Sequence, residues 1–217
     1  MSTSFLIFKL TLLLLLVSLP LVKQAQQFLL AHEESPLRLP QIISVIAAFI
    51  LAGTSLLLTS LEFGFSPIST AKCLVLLAWG IPMVLLDLHK FWLPQCFTTG
   101  FWLTGLLFTF LPGSSLHWWQ ALTSSGVMFT LLYLFHLASK HLLGEEGFGL
   151  GDVHLIAALC AWLPWQLASV LSGTGFLLFI TGAIVTRQYV QPYAPWLFIL
   201  LAGLATGFPQ LTLQGVL

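Results

Sequence analysis

Long apolar runs, separated by short polar or proline- and glycine-bearing breaks, alternate along the whole chain, and their lengths predict helices that cross a membrane. A helix needs about 20 predominantly apolar residues to cross a hydrocarbon core. Residues 42–61, 70–88, 118–142 and 165–186 meet that length. Residues 4–22 hold a nearly uninterrupted apolar run between Lys9 and Lys23. Because Pro20-Leu21-Val22-Lys23-Gln24 offers no small-x-small cleavage site and the sequence downstream is membranous, this stretch is read as a first transmembrane helix rather than a signal peptide. Residues 23–40, with Lys23, Glu33, Glu34, Arg38 and two prolines, are expected to form an aqueous loop. Gly80 and Pro82 are expected to kink the 70–88 segment. Further segments are expected at 96–111, at 152–163 as a partial helix stopped by Pro164, and at 194–211, with Trp92, Trp118 and Trp119 as interfacial anchors. The fold class is therefore all-α, a polytopic membrane protein of about eight transmembrane segments. No internal repeat or linker divides it, so residues 1–217 are expected to form a single membrane domain.

Composition agrees with the pattern. Hydrophobic residues make up 58% of the chain and charged ones 6%, with a mean hydropathy of +1.00, which excludes an ordinary soluble domain, where about a quarter of residues are charged. A formal net charge of zero argues against nucleic acid as a partner. Cys73, Cys96 and Cys160 form no CxxC pair and the six histidines show no ligand spacing, so neither a metal site nor a cofactor is expected. Lys23, Arg38, Lys90, Lys140 and Arg187 fall on one side of the expected spans and only Lys9 and Lys72 on the other. By the preference of basic residues for the cytoplasm, the N-terminus lies outside.

Candidate chemistry enters with the only two aspartates, Asp87 at the end of one apolar run and Asp152 at the start of another. Lipid-facing Asp at a helix centre costs about 2.5–3.5 kcal/mol on insertion scales, so such residues usually face protein or a water-filled cavity and serve a function. With the N-terminus outside, both aspartates lie near cytoplasmic helix ends, at similar depth. Two carboxyls held close cannot both ionise; one activates water while the other, protonated, polarises a scissile carbonyl. Gly147, Gly149 and Gly151 precede Asp152 and are expected to let the chain turn tightly and an extended substrate approach the backbone. Helix capping by Asp152 with a solvated Asp87, and a transporter or assembly protein that binds a proton or cation on the Asp pair, are the competing readings of the same residues.

The stretch from Glu146 through Gly147-Phe148-Gly149-Leu150-Gly151-Asp152-Val153-His154 to Trp162 resembles the second signature of bacterial type IV prepilin peptidases, membrane aspartic peptidases of the GxGD kind. Asp87-Leu88, with Leu93-Pro94 and Thr98, resembles their first signature, and Pro192-Tyr193-Ala194-Pro195 resembles their Pro-Phe-Gly-Pro stretch before the last helix. The similarity covers roughly residues 70–205. It implies Asp87 and Asp152 as the catalytic pair, a bacterial inner-membrane location with the site facing the cytoplasm, and a prepilin or pseudopilin substrate cut after a glycine that ends a short basic leader. Glu145 and Glu146 are candidates to attract that leader, their alternative being a solvated charge pair, and Gly149 and Gly151 are candidate substrate-binding or loop positions. Two departures stand out: Gln95 replaces a common Asp, and His154 a common Lys, which leaves a divergent, weakly active or inactive relative as an alternative. Larger members carry two Cys pairs between the first two spans, associated with zinc and N-methylation. Residues 23–40 have no Cys, so the resemblance is to a short form for which methyltransferase activity is doubtful.

Overall fold

The computed structural model describes residues 3–114, 116–143, 149–187 and 191–208. Among them are eight helices and no strand: α1 (Thr3–Ala31), α2 (Leu39–Phe63), α3 (Pro67–Lys90), α4 (Gln95–Thr109), α5 (Trp118–Leu143), α6 (Leu150–Leu159), α7 (Trp165–Thr186) and α8 (Ala194–Gly207). Prolines set several starts. Pro67 opens α3, and Pro94 and Pro164 stand immediately before α4 and α7, positions where a fixed φ and a missing N–H cost the helix nothing. Residues in left-handed backbone close three helices: Gly64 at φ 66° ends α2, Phe91 at φ 56° ends α3 and Arg187 at φ 57° ends α7.

The eight expected segments thus correspond to eight helices, and the protein is a multi-pass membrane protein. Five of them, α1, α2, α3, α5 and α7, are long and apolar enough to cross a bilayer. The other three, of 15, 10 and 14 residues, are shorter than the roughly 17 that a crossing needs. One boundary differs from expectation. Helix α1 runs eight residues beyond Lys23, so the aqueous loop is only 32–38. The reason is packing: Val22, Ala25 and Leu29 share a helical face and are buried, which hydropathy averaged past Lys23 does not register.

The chain divides into two compact units. In the first, which holds residues up to Phe91 and those from Phe198 on, α1, α2 and α3 pack on one another. Helix α3 is the buried member. Of its most apolar stretch 72% is buried, against 28% or less in the other four long helices. Gly80 lets it take the ring of Phe198, whose Cδ1 lies 2.5 Å from where a Cβ would stand. Ser60 and Thr70 pair their hydroxyls at 2.6 Å between α2 and α3, so neither is left without a partner there.

In the second unit, residues Trp92–Leu197, α6 packs against α4, α5 and α7. From Val153 to Leu163, His154 apart, every residue is buried, as expected for a helix that is apolar all round. Its far end is anchored by Trp162, which is fully buried, donates its indole N–H to the Phe101 carbonyl at 3.0 Å and stacks on the Phe101 ring at 5.2 Å. Gly105 admits that indole: a Cβ there would lie 2.7 Å from Trp162 Nε1. Gly105→Ala is therefore expected to lower stability by about 1–3 kcal/mol, the usual range for overpacking. Thermal unfolding of the purified protein in detergent checks it, as a lowered midpoint.

Candidate active site

Asp87 sits in the last turn of α3 and is buried. Its carbonyl accepts the Phe91 amide at 2.9 Å, the bond that closes the helix. Carbonyls at a helix end have no partner within the helix, and here that of Leu88 accepts Gln41 Nε2 at 3.1 Å. His89 Nε2 lies 3.1 Å from the Ser35 carbonyl and 3.1 Å from the Ser35 hydroxyl. Since the carbonyl can only accept, Nε2 carries the proton. Lys90 forms an ion pair with Glu34, and the hydrogen bond from Lys90 holds the Glu34 carboxyl below its usual range. A lowered folded-state value means that this ion pair contributes at neutral pH and is lost as pH falls through that value.

Asp152 is the third residue of α6, half-buried, with Gly149 as N-cap. The amides of Asp152 and Val153 both donate to the Gly149 carbonyl, at 3.1 and 3.2 Å. A carboxylate in the first turn meets the partial positive charge of the helix N-terminus. At Gly149 and Gly151 the missing Cβ provides space. Gly149 has φ −64°, and among the described glycines only Gly64 and Gly113 have positive φ. A Cβ on Gly149 would lie 3.0 Å from Asp152 Oδ2, and one on Gly151 would lie 2.7 Å from Leu93 Cβ and 3.0 Å from the Leu93 carbonyl oxygen. Gly149 thus clears room for the carboxylate, while Gly151 lets α6 rest against Leu93. Gly147, Glu145 and Glu146 lie outside the described residues.

Past Asp152, His154 donates from Nδ1 to the Leu150 carbonyl at 2.8 Å and meets the Phe129 ring edge-on at 5.0 Å. It borders a mostly apolar recess of about 230 Å³ whose lining includes Thr98, Trp102, Ser125 and Ala157. The Ser125 hydroxyl is buried there without a hydrogen bond. Tyr193, from the Pro-Tyr-Ala-Pro stretch, is buried and donates its hydroxyl to the Ser172 carbonyl of α7 at 3.0 Å. Burial, and after it the charge of Asp152, push the Tyr193 phenol up, so it remains a neutral donor. Among the described residues no three His, Cys, Asp or Glu side chains gather where they could hold a metal ion. Gly149, Gly151 and Asp152 come together at the start of α6, in the second unit; Asp87 belongs to the first. Sequence reasoning missed Gln41, Ser35 and the Glu34–Lys90 pair. No signal marks them, because their partners lie about 50 residues away in the chain.

A profile of the Type IV leader peptidase family matches residues 74–209. The prepilin leader peptidase/N-methyltransferase of Aeromonas salmonicida is 35% identical over 133 residues, covering 58% of this chain and 45% of its own length. That of Aeromonas hydrophila is 32% identical over 154 residues, covering 67% and 53%. The type 4 prepilin-like proteins leader peptide-processing enzyme of Escherichia coli is 34% identical over 139 residues, covering 63% and 51%. The chain spans about half the length of the curated relatives it matches. No solved structure matches it.

The two glycines should respond differently to alanine. Gly151→Ala meets Leu93 backbone and side chain and is expected to cost about 1–3 kcal/mol of stability. Gly149→Ala meets only the end of the Asp152 side chain, at 3.0 Å, and no backbone, and is expected to lower the unfolding midpoint less than Gly151→Ala does. Parallel thermal unfolding of both variants checks the difference.

Proposed function

Because the chain belongs to the type IV leader peptidase family, we propose that it is a membrane aspartic endopeptidase that removes the short basic leader from prepilins or pseudopilins, with Asp87 and Asp152 as its acid–base pair. The observation that carries this is the family match over residues 74–209, which encloses both aspartates of the chain. Their placement supports it. Each aspartate stands near the end of the most buried helix of its unit, where a carboxyl is kept from lipid at least cost.

In the proposed reaction Asp152, at the positive end of α6, takes a proton from water as the water oxygen attacks the scissile carbonyl carbon. Asp87, buried at the negative end of α3, gives its proton to the carbonyl oxygen. As the tetrahedral intermediate collapses and the C–N bond breaks, Asp152 gives its proton to the leaving nitrogen and a hydroxyl of the intermediate returns one to Asp87, so that one water is consumed and both carboxyls return to their starting states. The Tyr193 phenol is a neutral donor in the electrostatic reach of Asp152. The apolar recess beside His154 suits the hydrophobic stalk that follows the cleavage site. The site faces the cytoplasm from the bacterial inner membrane in this reading, and the preference of basic residues for the cytoplasmic side supports that orientation. Glu145 and Glu146 draw the basic leader to it.

Asp87→Asn and Asp152→Asn are each expected to abolish leader removal from a co-expressed prepilin while the protein stays in the membrane, since Asn keeps the shape but cannot exchange the proton. Cleavage at the wild-type rate by either variant, seen as a gel shift of the prepilin, would refute the assigned roles. Replacing both Glu145 and Glu146 with Gln is expected to raise KM at low salt and leave kcat nearly constant. An unchanged KM would place leader recognition elsewhere.

A further inference from the structure

The three residues that follow Asp87 are each gripped from one short segment, 34–41. Gln41 Nε2 holds the Leu88 carbonyl, Ser35 holds the His89 ring through its carbonyl and hydroxyl, and Glu34 holds Lys90. Helix ends fray because their last carbonyls lack partners in the helix. A carboxyl in that last turn would share the motion. Catalytic groups tolerate little of it, since a misplacement of about 1 Å can cost on the order of a hundredfold in rate. The grip is also directional. The Gln41 amide points its Nε2 at Leu88 while its Oε1 is buried without a hydrogen bond, so the Leu88 carbonyl alone sets its orientation.

We propose that the connection between α1 and α2, together with the first turn of α2, is a clasp that positions Asp87, with Gln41, Ser35 and Glu34 as positioning residues acting through Leu88, His89 and Lys90. The inference rests on the peptidase reading above. It goes beyond helix capping, because a cap that only stabilised α3 would alter how much folded protein exists and not how each folded molecule titrates. Two carboxyls that share a proton titrate at separated values, and the closer they are held the wider the bell of kcat against pH. Loosening Asp87 therefore narrows that bell.

The test uses the purified full chain in lipid nanodiscs with a purified prepilin as substrate. Gln41→Leu is expected to lower kcat by about tenfold, the scale of a lost hydrogen bond with a half-buried carbonyl left over, to leave KM within about twofold, and to narrow the kcat bell. A folded Gln41→Leu protein with wild-type kcat and an unchanged bell would overturn the proposal. If that variant does not accumulate, the exposed ion pair decides. Glu34→Lys is expected to lower kcat about threefold, within what an exposed pair can contribute, and adding Lys90→Glu to restore it. No loss, or no restoration, would overturn the clasp. A wild-type chain that cleaves nothing would overturn the peptidase reading and the clasp with it, whereas a cleaving wild type with indifferent variants would overturn the clasp alone.

Discussion

Carboxyl groups at a helix centre cannot be left facing hydrocarbon without a cost of several kcal/mol, and that constraint bears on the two aspartates of this chain, Asp87 and Asp152. The fold answers it by placing each on a helix that other helices cover. Helix α3 is enclosed by α1 and α2, and α6 by α4, α5 and α7. The covering helices expose large apolar side chains such as Leu13, Leu51, Leu131 and Val185, the surface that a bilayer solvates. Much of the remaining architecture follows from keeping α3 and α6 inside. Gly80 and Gly105 let Phe198 and Trp162 pack on the backbone, and the indole of Trp162 satisfies its N–H on the Phe101 carbonyl, because an unpaired polar group in that setting would itself be expensive.

Much of this was legible in the sequence, for identifiable reasons. Run length located the five long helices among the described residues, since hydropathy averaged over about 20 residues is a strong signal, and proline, glycine and polar breaks marked out the three short ones. Boundaries were less legible. Helix α1 continues past Lys23 because Ala25 and Leu29 are buried, a tertiary effect that a composition window does not contain. The glycines before Asp152 could be singled out from the sequence, but the physical reason for them could not. Gly149 and Gly151 leave space for the Asp152 carboxylate and for Leu93. The contacts of Gln41 and Ser35 to residues 47 and 54 positions away had no local signature at all.

Position also separates the two carboxyls in kind. One stands at the N-terminus of a helix and the other at a C-terminal turn, so the backbone dipoles treat them oppositely. That asymmetry supports the proposed division of base and acid roles between them. The apolar recess next to His154, with the buried Ser125 hydroxyl in its wall, lies along the α6 face that carries His154, Ala157 and Ala158.

The central claim, that this chain is itself a leader peptidase, is tested most directly by intact-mass spectrometry of a purified prepilin incubated with the purified wild-type chain in lipid nanodiscs and no other protein. The account predicts a new species lighter by the mass of the N-terminal leader ending in its glycine. A prepilin whose mass is unchanged after prolonged incubation, under conditions where a known relative cuts it, would contradict the account.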